Sequence, residues 1–415
     1  MISLTGCSSS KRFTIKDKST GIGSGKDVAK IDYEKSSGRI LDSEIETIRV
    51  LLNEYSYEKT IQINSSINLF SSNVKIASIG KNNQISLKVD AKEMELTIQN
   101  KSYRSNHFIF FPADEKNIIN IDGKKYRGNL NLIVVAGKIN LINQISLEDY
   151  VKGVMTREMP LGKDLEHYEA LKAFAICART YAFTKIFEDK SYYDILPDTR
   201  DQVYGGVDAE TEYSNRVVDE TKNMILTYED KPAIIFYHST CGGYTEDAVN
   251  VFVKADVPYL RSVKDGSSSN CMISPRYSWI ENIPEYRIID RFNKKGYISG
   301  KNFSIKDIKV NSRFESGRIN ELEFVLINGS VEKKIKLYGN KIRSVIRTAD
   351  DRSILRSNFF NIYLSTNQTV VINGRGNGHG VGMCQWGAIG LSRDGKDYNY
   401  ILNHYFSGTE VKRIR

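Results

Sequence analysis

The chain has little of what marks an extended or membrane-spanning protein. Only 7 of its 415 residues are proline, and no stretch reaches the roughly 18 uninterrupted apolar residues that cross a bilayer as a helix. With 40% hydrophobic and 26% charged residues, it reads as globular rather than disordered or fibrous. Its length suits two or three domains, or one large domain carrying an insertion. Runs of five or more Lys/Arg are missing, although the net charge is +9. That balance favours polyanionic partners, but without a concentrated basic footprint nucleic acid is not expected among them. Neither C-x-x-C nor H-x-x-x-H spacing occurs, so no compact metal motif is written in the sequence. No internal repeat is found.

What is present begins at the N-terminus. Leu4-Thr5-Gly6-Cys7 resembles a bacterial lipobox, which makes Cys7 the expected lipidation site and the protein an exported one, anchored to the membrane in the cell envelope. Six residues before Cys7 are too few for an apolar signal segment of about 7–15 residues; the start is read as late or trimmed. The alternative is an accidental Gly-Cys pair. Residues 1–45, polar and containing Gly21-Ile-Gly-Ser-Gly25, form the lipobox and a flexible tether. Cys241 and Cys271 both lie in Gly/Ser-rich loop sequence, and in an exported chain they are expected to pair as a disulfide. Cys177, in a helical apolar run, reads as a packed free thiol.

Folding is expected from about residue 46 onward. Short alternating strands such as Thr60-Ile-Gln-Ile-Asn64 fill a β-rich stretch at about 53–145. The period then becomes helical, with Leu147, Tyr150, Val151, Val154 and Met155 on one stripe and Pro160 closing the helix. Further helices are expected at about 165–187, 210–224 and 341–348. A strand is expected at Ala233–His238, and the last fifty residues read as strand, Gly-rich loop, helix, helix and strand. The fold class is α+β: a helical catalytic core with mixed or antiparallel sheets and an inserted β-rich module.

Three constellations carry chemistry. Glu158 falls on the apolar stripe of its helix, within roughly 20° of Leu147 and Val151. Burial there raises a carboxyl pKa and makes a general acid; fraying of the last turn before Pro160 would instead leave it in solvent. Spacing alone does not choose. The stretch Asn373 to Ala388 holds six glycines and His379; it presents a site if backbone approaches a ligand, and a structural turn if the glycines serve packing. His238-Ser239-Thr240-Cys241 ends an apolar strand. Ser239 with His238 suggests a hydrolase, but neighbours in an extended strand point to opposite faces. A metal on Cys241, Cys271 and His379 has suitable ligand types without supporting spacing.

In order, Ser146 to Pro160, Ala170 to Ala182, Gln202-Val-Tyr-Gly-Gly206, the His238 passage and Gly374 to Ala388 resemble the stage II sporulation protein D / LytB family over roughly residues 46–415. The resemblance implies a lytic transglycosylase acting on peptidoglycan glycan strands, with Glu158 as catalytic acid. It also implies that Arg179, Tyr181, Gln202, Tyr204, His238, Ser239, His379, Gln385 and Trp386 line the glycan cleft. Some sporulation members carry a His/Cys/Cys zinc site before the Gln-Val-Tyr motif, with cysteines where this chain has Asp201 and Ile195. No metal and no cofactor are therefore expected. Because the same family includes amidase enhancers, the alternative is a non-catalytic wall-binding partner of a cell-wall amidase.

Overall fold

Between Thr47 and Ser146 apolar residues recur at every second position, and this stretch forms twelve strands arranged as two six-stranded antiparallel sheets. Ile61, Ile63, Ile85 and Leu87 of one sheet and Ile67, Leu69, Phe108 and Phe110 of the other are wholly buried in one shared core. Alternation puts each set on a single face, as a pleated strand requires. Turn chemistry matches: Asp122-Gly123, with φ of 50° and 80°, joins Ile118–Ile121 to Lys124–Arg127, the left-handed pair that a two-residue hairpin favours. The computed structural model describes residues 47–414, apart from 72, 115–116, 163–164, 189–191, 253–255 and 301. Cys7 and the expected tether lie outside the described residues.

The first strand, Thr47–Tyr55, pairs antiparallel with the last of the twelve, Lys138–Ser146. The β-rich stretch therefore opens and closes on neighbouring strands, and the chain passes directly into helix α1 (Leu147–Glu158). Ser146 caps it, its hydroxyl accepting the Asp149 N–H at 3.1 Å, which satisfies a donor that the first turn leaves unpaired. The helix stops because Met159 turns extended before Pro160. Helix α2 (Tyr168–Ile186) buries residues on every face from Ala170 to Phe183, so it runs through the interior. The twelve strands, α1, α2, helix α3 (Glu212–Glu220) and the C-terminal helices Gln385–Arg393 and Tyr398–Tyr405 share that one core.

The stretch from 280 to 365, expected only as mixed structure, has a hydrophobic core of its own from Trp279 to Ile372. Ser278–Pro284, Phe360–Leu364 and Thr369–Arg375 make one antiparallel sheet; Ser304–Arg313, Ile319–Asn328 and Val331–Tyr338 make another. Ser278 pairs with Arg375, a partnership that no local pattern reveals. The expected strand Ala233–His238 is shorter: Tyr237–His238 alone joins a ladder there, parallel to Met383–Cys384. Overall the fold is α+β.

One polar group in the α1–α2 contact differs from expectation. Arg179, expected in the glycan cleft, is wholly buried. Its guanidinium holds the Glu148 carboxylate through two bonds of 2.9 and 2.8 Å and donates to the carbonyls of Met224 and Val218. Glu148 also accepts the Asn223 N–H. Arg179 thus ties the start of α1 to α2 and to the strand after α3. Arg179→Met strands the Glu148 carboxylate, with an expected loss of about 3–5 kcal/mol of stability. Chemical denaturation measures it, and Arg179→Lys is expected to rescue little because it lacks the forked donor pair.

Candidate active site

Glu158 is the last residue of α1 and is half-buried. The helix end does not fray, because it is held on two sides. One carboxylate oxygen accepts the Val203 N–H at 2.6 Å, and the Glu158 carbonyl accepts from Gln385 Nε2 at 2.7 Å. Val203 makes the only hydrogen bond to the carboxylate among the described residues. Burial raises the carboxyl above its ordinary range, and the Val203 N–H, which favours the charged form, offsets part of that rise.

Behind Glu158 runs a chain of neutral polar groups. Tyr150, on α1, donates to Gln202 Oε1 at 3.2 Å, and Gln202 Nε2 donates to the Tyr237 hydroxyl at 3.2 Å. Tyr150 and Gln202 are wholly buried. Burial first, and neighbouring negative charge including Glu158 second, push both phenols well above their ordinary range, so they stay protonated.

The Gln-Val-Tyr loop is clamped onto α1. Asp201 accepts from the Tyr181 hydroxyl at 2.7 Å and from the Leu196 N–H at 2.9 Å, while Ile195 is wholly buried. The Tyr204 ring stacks on Tyr150 at 5.2 Å, and its hydroxyl donates to Asn143. Gly153 makes that approach possible inside a helix: a Cβ there would lie 2.4 Å from the Tyr204 ring. Tyr181 and Tyr204 therefore position the loop that carries Gln202 and Val203.

The other motifs form an adjoining layer. His238 donates from Nδ1 to the Val381 carbonyl at 3.1 Å, and its buried Nε2 has no partner among the described residues. Burial, then the neighbouring His379, push its pKa well below the ordinary value, so it is neutral. His379 accepts the Val381 N–H on Nδ1 and donates from Nε2 to the Tyr237 carbonyl at 2.9 Å; burial, then Arg343, push it down to about 3. Both ring nitrogens are engaged, so His379 is no metal ligand here. The Gly-rich stretch serves packing: a Cβ on Gly378 would lie 2.7 Å from His238 Cβ, and one on Gly382 2.1 Å from the Phe236 carbonyl oxygen, both at positive φ. Ser239 Oγ bonds Thr240 Oγ1 at 3.3 Å rather than His238, and the Ser239 carbonyl accepts the Trp386 N–H at 3.1 Å. Ser239 and Trp386 are half-buried, whereas Gln385 is nearly enclosed.

Glu158 and Gln385 thus meet directly, Gln202 adjoins them through its neighbour Val203, Tyr181 and Tyr204 support that loop, and His238, Ser239, His379 and Trp386 lie one layer on, joined through Tyr237 and Gln385. Arg179 stands apart in the core. Sequence reasoning passed over Tyr150 and Tyr237, although the first sits on the stripe that drew attention to Glu158 and the second adjoins His238.

The expected Cys241–Cys271 disulfide is not formed. Both are free thiols, with sulfurs 3.4 Å apart, where an S–S bond needs about 2.05 Å. The two thiols are not an isolated pair: Cys384 and Asp265 lie beside them, and the four ligand atoms fall within 4.8 Å of one another. Among the described residues no helix is long and apolar enough to cross a membrane.

Residues 135–228 match the family model described as stage II sporulation protein, and residues 269–382 match a domain of unknown function (DUF8618). The chain is 33% identical over 296 residues to an uncharacterized protein of Brachyspira hyodysenteriae, covering 70% of this chain and 73% of the relative. It is 30% identical over 293 residues to stage II sporulation protein D of Bacillus subtilis, covering 65% and 75%. To the amidase enhancer of Bacillus subtilis it is 28% identical over 337 residues, covering 71% of this chain and 45% of that protein.

The raised carboxyl makes a signed prediction about stability. Ionising Glu158 costs the folded state at pH values above the ordinary carboxyl range and costs nothing below it. Glu158→Gln, whose amide oxygen can still accept the Val203 N–H, is expected to raise the melting temperature at pH 7. The gain should vanish as the pH falls below about 4. Melts across a pH series decide; a lower midpoint at pH 7 would mean that the bond to Val203 outweighs burial.

Proposed function

We propose, from the premise that this chain belongs to the stage II sporulation protein D / LytB family, that it is a cell-envelope protein which cleaves peptidoglycan glycan strands with Glu158 as its acid. The observation that carries the reading is the lone, half-buried carboxyl at the end of α1, raised by burial and bonded only by one backbone N–H among the described residues. A carboxyl raised in this way keeps its proton to higher pH than an exposed one, which is what a general acid requires. Asp201, in the same loop, has both oxygens engaged by Tyr181 and Leu196, so it is not offered as a second acid or base.

One carboxyl suffices for a lytic transglycosylase. Glu158 protonates the leaving glycosidic oxygen between N-acetylmuramic acid and N-acetylglucosamine, and the bond from the muramyl C1 to that oxygen breaks. The muramyl C6 hydroxyl then closes onto C1, and the Glu158 carboxylate takes its proton, leaving a 1,6-anhydro end and a regenerated acid. Hydrolysis would need a further carboxylate for water or for covalent attack; here the nucleophile belongs to the substrate, and the site has mainly to orient it. Tyr150, Gln202 and Tyr237 supply a neutral, protonated wall that keeps Glu158 from losing its proton to a nearby base. Of the residues expected in the cleft, Tyr181, Ser239, His379 and Trp386 keep some accessible surface; Tyr181 and His379 are held by bonds to Asp201 and the backbone, and Ser239 and Trp386 are assigned to sugar contact. Export and lipid anchoring through Cys7 belong to the same proposal.

The second reading is a non-catalytic enhancer of a wall amidase, favoured by the relative that carries that name. Digestion of purified peptidoglycan, with and without stem peptides, separates the two. The expected result is anhydro-muramyl products from wild type, with Glu158→Gln slower by about 10²–10⁴-fold. The rate should fall as the pH rises through the raised value of Glu158. Wall binding without any such products, in wild type as in the variant, would sink the enzyme and favour the enhancer.

A further inference from the structure

The geometry points to a structural zinc site formed by Cys241, Cys271 and Cys384 with Asp265 as fourth ligand. The four residues come from separate segments, and all are wholly buried. Cys241 follows the short strand Tyr237–His238, Asp265 precedes the turn Asn270–Ile273 that holds Cys271, and Cys384 opens the helix Gln385–Arg393. Their ligand atoms nevertheless lie within 4.8 Å of one another. Sulfurs bound tetrahedrally to one zinc at about 2.3 Å stand roughly 3.8 Å apart. The 3.4 Å between Cys241 and Cys271 is near that value and far from a covalent bond. A disulfide would leave the third sulfur and the carboxylate without a role.

The surroundings suit thiolates. Cys384 Sγ accepts the N–H of Cys241 at 3.1 Å and, as the cap of its helix, that of Gly387 at 3.3 Å; Cys241 Sγ accepts the N–H of Gly243 at 3.4 Å. Asp265 is held from outside by the Tyr405 hydroxyl at 2.7 Å and the Cys271 N–H at 2.9 Å. Those bonds fix a carboxylate while leaving lone pairs for an ion. Three thiolates and a carboxylate carry two more negative charges than zinc neutralises. The wholly buried Arg318 guanidinium, donating to the Cys241 carbonyl at 2.7 Å, offsets one of them. Three soft sulfurs in a closed, four-coordinate set select zinc over calcium or magnesium.

The site's place in the chain gives it a purpose. The domain of unknown function matched at 269–382 begins two residues before Cys271 and ends two residues before Cys384. One ion would clamp both necks of the unit containing the second hydrophobic core to the segment that carries His238. The residue after Cys384 is Gln385, which holds the end of α1.

The test is the metal content of the full chain, purified under reducing conditions from zinc-supplemented cells, beside Cys384→Ser, Asp265→Asn, Cys177→Ser and Glu158→Gln. Wild type, Cys177→Ser and Glu158→Gln are expected to hold about one zinc per chain. Cys384→Ser should hold less than about a tenth of that, and Asp265→Asn should lose its ion to a chelator at least about tenfold faster. Cobalt-loaded wild type should show thiolate-to-cobalt charge transfer with tetrahedral bands, which needs no variant to fold. Zinc-free wild type that takes up no cobalt, or non-reducing peptide maps with Cys241 joined to Cys271, would overturn the site. Retention of zinc by Glu158→Gln separates this outcome from any failure of the proposed activity.

Discussion

A carboxyl group placed on the core side of a helix end has to be satisfied without being neutralised, and the layout around Glu158 follows from that constraint. An arginine or lysine against it would hold it ionised; full enclosure without a donor would cost more than a single domain can spare. The single Val203 N–H lies between those extremes. To present that N–H, the Gln-Val-Tyr loop must lie against α1. Tyr204 stacking on Tyr150 over Gly153, and Asp201 bridging Tyr181 and Leu196, keep it there.

The same constraint reaches the far end of the chain. Gln385 meets the Glu158 carbonyl only because Met383–Cys384 runs parallel to Tyr237–His238. That pairing in turn needs the glycine stretch before it to lie flat against residues 236–241. His238 and His379 are locked into this packing as neutral rings, each with a ring nitrogen committed to a backbone carbonyl. In this chain they read as parts of the frame that sets the two strands in register.

How much of this the sequence discloses depends on whether the deciding contact is local. The β-rich stretch and the end of α1 were legible because strand alternation and the stop at Pro160 act within a few residues. Glu158 was legible as a position but not as a state, since its donor Val203 is 45 residues away. Arg179 misled for the opposite reason. Resemblance assigned it to the cleft, whereas its partner Glu148 lies one helix back and spacing gives no sign of their pairing. The second core was invisible because strands such as Ser278–Pro284 find their partners about ninety residues later.

The cysteines show the limit most sharply. Two of them in glycine-rich loops read naturally as a covalent pair, and pairwise reasoning could go no further. Cys384 was overlooked because its sequence neighbours Gln385 and Trp386 drew attention to the expected sugar cleft. Folding brings it under Cys241 through a ladder only two residues long, and a third sulfur turns a pair into a coordination set. The consequence is mechanical: the segment that caps helix Gln385–Arg393 with a cysteine sulfur also carries the glutamine that steadies the acid. Whatever fixes the sulfurs therefore also fixes the position of Glu158.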